Sequence, residues 1–356
     1  MIDASDKTVL PGLVDPHTHL IFAGFRDKEF EMKLSGKTYM EILAAGGGIL
    51  NTVKETRKAG KHRLFQLCRD RARSLLLHGT TTIEAKSGYG LNIAEETKCL
   101  QVARSLDRVG PFDVVPTFLG AHAIPEEYQG RADHYVDLVV EEMIPKIAER
   151  KLTRFCDVFC ERGVFTVEQS RRILEAAQRR GLKSKIHADE FADTGGAALA
   201  AEVGAISADH LMCSSDEGLR KMADKGTLAV LLPAASLTLM MNRAANARKM
   251  IEYGVPIAIG TDLSPSCMLE SQQMTIALAC HFLRMTPAEA IVAATINAAH
   301  AICEASNVGS LEPGKKADIT IISAPNHRFL GYRFGINLVE TVIKDGKIVV
   351  QHQRLV

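Results

Sequence analysis

The chain has 356 residues, 46% hydrophobic and 24% charged, and its 43 Lys and Arg nearly balance 42 Asp and Glu for a net charge of +1. Such a chain can bury a large core, and its charge argues against nucleic acid or an anionic membrane surface as the main partner. It has no apolar run of about twenty residues and no basic leader before an apolar stretch, so neither a membrane span nor a secretory signal is expected, and the cytoplasm is the expected compartment.

In chain order, the first strand candidate is LPGLVDPHTHL (10–20). It ends in His17 and His19, one residue apart. Positions i and i+2 of a strand share a face, so the two imidazoles are expected to lean together. Two neutral imidazoles side by side make a poor core and a good half of a metal site. Gly46-Gly47-Gly48 follows. It lacks the lysine–serine ending of a phosphate-binding loop and reads as a flexible turn, a candidate lid. RLFQLCRDRARSLLLHG has helical spacing, with Leu64, Leu67, Cys68, Ala72, Leu75 and Leu76 on one side. Strand-like runs then recur at 80–85, 113–122, 155–161, 182–190, 205–211, 227–233 and 256–262, eight in all with the first. Between the fourth and fifth lies TVEQSRRILEAAQRRG, a helix opening at a Thr166 cap and closing at Gly181. Eight β–α alternations over roughly 250 residues are what a TIM barrel requires; an open doubly wound sheet seldom strings so many parallel units together.

After Asp262 the pattern changes. SQQMTIALACHFLRM and TPAEAIVAATINAAHAIC read as two helices, the second capped by Thr286 with Pro287 at its first position. In LVETVIKDGKIVV, KDGK reads as a hairpin turn between short strands, so the tail forms a small β element outside the barrel. The eight cysteines are scattered, and the one close pair, Cys156 and Cys160, lies in an apolar run; they read as reduced core thiols.

In a TIM barrel, functional groups gather at the C-terminal strand ends. Here those ends carry His17 and His19, His122, His187 with Asp189 and Glu190, Asp209 and His210, and Asp262. Imidazole or carboxylate at end after end, in one register, points to a metal centre. Imidazole nitrogens with one carboxylate suit zinc, and also iron or manganese. The ion lowers the pKa of a bound water and a carboxylate takes the proton, which is hydrolytic chemistry.

These residues resemble the amidohydrolase superfamily: HTH after the first strand, His at the ends of the fifth and sixth, TD at the end of the eighth. Within it the chain is similar to the branch that opens an imidazolone ring in histidine degradation. The stretches that carry this are PGLVDPHTHLIFAGFR, ILAAGGGILNTVKETR, GTTTIEAKSGYGL, TFLGAHAIP, FCERGVFTVEQSRR, KIHADE, SADHL and GKKADI, spanning nearly the whole chain. KSGYGL and GAHAIP are the more specific. The resemblance implies one zinc or iron ion held by His17, His19, His187 and Asp262, with Glu190 and His210 beside the attacking water; in the chemistry that follows, Asp262 or Glu190 moves the proton to the leaving ring nitrogen. It also implies a small-molecule substrate contacted by Arg26, Tyr39, Tyr89 and His122, and a homodimer.

A substrate propionate asks for a guanidinium, and Arg26 lies seven residues past His19; the plainer expectation for Arg26 is a surface pair with Asp27 or Glu29. KSGYG reads as a substrate-binding turn, or only as a βα turn needing positive φ at Gly88 and Gly90. Asp189 and Asp209 are expected either to orient His187 and His210 or to cap following helices. The domain division expected is residues 1–10 as a remnant of a small β domain, 11–310 as the barrel, and 311–356 as the C-terminal part of a small β-sandwich. With so little chain before the first strand, the tail strands are expected to lack pairing partners. Where the family carries an asparagine and a glycine after the last strand, Ser264 and Ser266 stand, which bears on ring specificity. The rival readings are a deaminase of a cyclic amidine or purine on the same centre, and an inactive barrel.

Overall fold

A computed structural model of the chain describes residues 2–37, 41–42 and 47–356. Eight parallel strands form one sheet in sequence order: β2 (Leu13–Asp15), β3 (Thr80–Lys86), β4 (Asp113–Ala121), β5 (Phe155–Cys160), β6 (Lys183–Ala188), β7 (Ser207–His210), β8 (Leu228–Leu231) and β9 (Ile257–Ile259). Each overlaps one of the eight runs expected from the sequence. Strand order that follows chain order, with helices between, is the (β/α)8 barrel. Helix Val167–Arg179 opens at Thr166 with a full capping box, and its buried Ile173, Leu174 and Ala177 face the sheet.

The barrel closes between its shortest strands, past their ends. Thr18 and Leu263 form a parallel bridge, His19 N donates to Leu263 O at 2.8 Å and Asp262 N to His17 O at 3.2 Å. Buried Asp15 ties the seam from inside, accepting Thr261 Oγ1 at 2.6 Å and Thr261 N at 3.1 Å. His17 and His19 therefore sit in a closing loop rather than within a strand, which ends at Asp15.

A second, antiparallel sheet has the order β1 (Thr8–Pro11), β10 (Ile319–Ile322), β11 (Val339–Lys344), β12 (Lys347–Gln351), β13 (Arg354–Leu355). The expectation that the tail strands lack partners is corrected: β1 pairs with β10 from Thr8↔Ile322 to Pro11↔Ile319. Asp345 and Gly346 make the hairpin turn with φ of 50° and 77°, both in the region such two-residue turns need. The expected helix over 286–303 is two helices, Pro287–Ala293 and Ile296–Ala301, because the backbone breaks at Thr295, whose hydroxyl bonds back to Ile291 O at 2.7 Å. All eight cysteines are free. Among the described residues no helix is long and apolar enough to cross a membrane.

Candidate metal centre and substrate pocket

The closure seam brings His17, His19 and Asp262 together. His17 Nε2 and His19 Nε2 each lie 3.6 Å from Asp262 Oδ1. From across the barrel β6 adds His187, whose Nε2 is 3.3 Å from His19 Nε2. Four nitrogen and oxygen atoms arranged tetrahedrally about 2.1 Å from one ion would be about 3.4 Å apart. The spacing fits a divalent ion. So does His17 Nε2, a fully buried nitrogen with no hydrogen-bond partner. Burial pushes the Asp262 carboxyl up to about 7, and burial drives His17 and His19 well below the ordinary imidazole range. Desolvated neutral imidazoles with a carboxylate in need of a counter-charge are a cation's donor set.

Glu190 and His210 stand beside this cluster, with His210 Nδ1 3.6 Å from Glu190 Oε1. Burial, then Asp262 and Glu161, raise the Glu190 carboxyl well above its usual range. Positive φ at His210 (75°) and Asp262 (54°) turns the chain sharply at these strand ends, a backbone strain typical of sites where side-chain aim matters.

Above the cluster lies a cleft lined by Arg26, Tyr89, His122, Phe159, Phe191, Leu239, Ser264 and Ser266, among others. His122 stacks on His19 with ring centroids 4.9 Å apart, and its Nδ1 pairs with Gly88 O at 3.0 Å. Burial lowers His122 to about 3, so its ring is neutral. Tyr89 is buried against both rings. Arg26 is paired with Glu29 at 2.6 Å, as the plainer reading had it, yet both side chains are largely buried and Arg26 lines the cleft. Glu29 also accepts Gly48 N at 2.8 Å, tying the glycine turn to it. Tyr39 and Gly46 lie outside the described residues.

The KSGYGL turn is built on Glu96, which no sequence signal singled out. Its carboxylate accepts Gly88 N at 3.0 Å, Gly90 N at 2.7 Å and Leu91 N at 2.8 Å. Gly88 has φ +108°, as expected, but Gly90 does not have positive φ. It is glycine because a Cβ there would meet Glu96 N at 2.5 Å. Gly90→Ala is therefore expected to destabilise the fold by about 1–3 kcal/mol and to displace Tyr89; a denaturant titration that leaves the midpoint unchanged would contradict this packing.

Of the two roles open to each aspartate, the structure gives Asp189 the cap, while Asp209 orients a different histidine. Asp209 Oδ2 receives His17 Nδ1 at 2.6 Å, not His210. Asp189 caps the helix Gly196–Glu202, accepting Gly196 N at 2.9 Å and Ala197 N at 3.0 Å, and does not orient His187. The partner of His187 is Asp157, at 3.1 Å from Nδ1. The sequence reading missed Asp157, although the signal was present: ionisable residues at alternate positions of strands, as in Glu84/Lys86 and Lys185/His187, mark a polar inward face.

Residues 8–349 match the amidohydrolase family. Among curated proteins, the imidazolonepropionase of Geobacillus kaustophilus is 56% identical over 98% of this chain and 82% of its own length. That of Brevibacillus brevis is 57% identical over 100% of this chain and 84% of its own. Among solved structures, the 5-methylcytosine deaminase of Klebsiella pneumoniae superposes with a TM-score of 0.78 at 18% identity, covering 100% of this chain and 89% of that one. An atrazine chlorohydrolase from Arthrobacter aurescens, solved with zinc and atraton, gives 0.75 at 17%, over 100% and 86%; both show the shared fold. The chain belongs to the amidohydrolase family, whose barrel and metal-suited donor cluster it carries. Within that family its place is among the imidazolonepropionases, at 52–57% identity over nearly its whole length.

Proposed function

We propose that this chain hydrolyses the ring amide of 4-imidazolone-5-propanoate to N-formimidoyl-L-glutamate, the ring-opening step of histidine degradation. The observation that carries the reading is His17, His19 and Asp262 offering ligand atoms within 4.8 Å of one another, with His187 Nε2 3.3 Å from His19 Nε2, beneath a cleft lined by the buried Arg26 guanidinium. His17, His19, His187 and Asp262 would hold one zinc or iron ion, which when bound activates a water and polarises the ring carbonyl.

The protein's own groups do the rest. Glu190, desolvated and facing His210, takes the proton of the attacking water and delivers it to the leaving ring nitrogen. The neutral His210 ring donates a hydrogen bond to the carbonyl oxygen as charge develops there. Tyr89 and His122 form one wall for the planar ring, and Tyr39 belongs to the same proposed contact set. Arg26, aimed by Glu29, takes the propionate. Ser264 and Ser266, whose hydroxyls lie 3.2 Å apart at the cleft edge, offer the ring a hydroxyl contact.

Turnover of imidazolone propionate by the metal-loaded protein, with guanine and cytosine as comparison substrates, tests the reading; deamination without ring opening would overturn it. Metal analysis of the purified protein separates zinc from iron. Arg26→Met is expected to raise KM about 10- to 100-fold with kcat within a few-fold, since a hydrogen bond to a charged group contributes about 1.5–3 kcal/mol. An unchanged KM would remove Arg26 from the substrate.

The proposal includes a cytoplasmic homodimer. Exposed Phe282, Tyr332 and Phe334 around the short helix Phe329–Tyr332 support it, as side chains suited to a covered face. Sedimentation at micromolar concentration as a monomer would count against it.

A further inference from the structure

Beneath the metal cluster lies a fully buried lysine that the hydrolytic chemistry above does not use. Lys86 opens the KSGYGL motif, and its ammonium sits inside the barrel. Its Nζ donates to Asp157 Oδ2 at 2.7 Å and to Glu84 Oε1 at 2.9 Å, and lies 3.6 Å from Asp209 Oδ2. Asp157 and Asp209 are the two carboxylates that receive the Nδ1 atoms of His187 and His17. One cation therefore backs the acceptors of two histidines contributed by opposite sides of the barrel.

We propose that Lys86 is a positioning residue for the metal centre, a common anchor that fixes both carboxylates and, through them, the aim of His17 Nε2 and His187 Nε2. Each Asp reaches Lys86 and its histidine from the same side chain, Asp157 by its two different oxygens. Val158 N on Asp157 Oδ1, at 2.7 Å, and Ser207 Oγ on Asp209 Oδ1, at 2.6 Å, hold the carboxylates from the other side. Without the ammonium, two carboxylates would face each other in a low-dielectric interior, where like charges repel strongly. They would turn apart and carry the rings with them. Glu84 is the outer member: it pairs with Lys86 and Lys185 and touches neither histidine. Lys185 also acts on Asp209 through its charge, but its ammonium pairs with Glu84 and donates to Pro16 O and Ala301 O, and forms no ion pair with either aspartate.

The inference rests on the metal-centre reading, and the test separates the two. Metal-free protein is titrated with Co2+, following the visible d–d bands and, by chelator competition, the affinity. Lys86→Met is expected to bind Co2+ at least about 10-fold more weakly and with altered bands, within the 10–100-fold range for loss of a group that orients a ligand. Glu84→Gln, which leaves the ammonium on both carboxylates, is expected to stay within about 3-fold of the parent. KM with saturating metal is expected to be unchanged in Lys86→Met. Equal affinity and identical bands in Lys86→Met would overturn the proposal. So would equal losses in both variants, which would mark a structural layer only. Where Lys86→Met does not accumulate in folded form, Lys86→Gln is measured against the same outcomes. Failure of the parent itself to bind Co2+ would instead sink the metal-centre reading.

Discussion

Asp262→Ala is expected to abolish turnover and to strip the protein of tightly held metal. Asp262 Oδ1 lies 3.6 Å from both His17 Nε2 and His19 Nε2. It is also the cluster's only carboxylate, and the imidazoles around it are buried. Removing it leaves imidazole nitrogens with no anionic group among them to offset the ion's desolvation. Affinity should fall by more than the roughly 100-fold that loss of an orienting partner alone can cause. The local backbone will tolerate the change poorly but will not unfold, because the seam is held by Asp15, Thr261 and main-chain bonds rather than by the Asp262 side chain. Metal content after dialysis against a weak chelator, with turnover at matched metal, checks this. A variant that keeps one equivalent of metal and its activity would remove Asp262 from the centre.

Glu190→Gln is expected to leave metal bound and to lower kcat by about 10²–10⁴-fold, the usual contribution of a placed proton carrier. The amide keeps the size and most of the packing of the carboxyl, and Glu190 sits on the cleft side of the cluster, 3.6 Å from the His210 ring. KM should move only a few-fold, because the proton is transferred in the transition state and not in the bound ground state. The split between the two variants is the informative result: Asp262→Ala loses metal and rate together, Glu190→Gln loses rate alone. A Glu190→Gln enzyme within threefold of parent kcat would transfer the proton role elsewhere.

The strands of the barrel were legible because β-rich runs bounded by turn residues recur eight times, and each such run overlaps a strand. Strand length was less so. The apolar run before His17 suggested a strand through the histidines, whereas β2 stops at Asp15 because its last bonds pass to the closure seam. The pairing of Thr8–Pro11 with Ile319–Ile322 was invisible in the sequence, since partners over 300 residues apart leave no local trace. The break at Thr295 was missed because helical periodicity continues through it.

By itself the sequence determined which chemical groups the site could contain. Imidazole and carboxylate recur at the strand ends, and KSGYGL, GAHAIP and HTH stand in readable order. Only the tertiary structure decided which of those groups face one another. Asp209 serves His17 instead of His210, Asp189 caps a helix, and Lys86, Asp157 and Glu96 emerge as supports. The physical reason is that donor and acceptor pairings inside a barrel are set by the inward alternation of strands brought together through closure, and hydrogen bonds of 2.6 to 3.1 Å between residues 30 to 192 positions apart depend on where those strands sit in space.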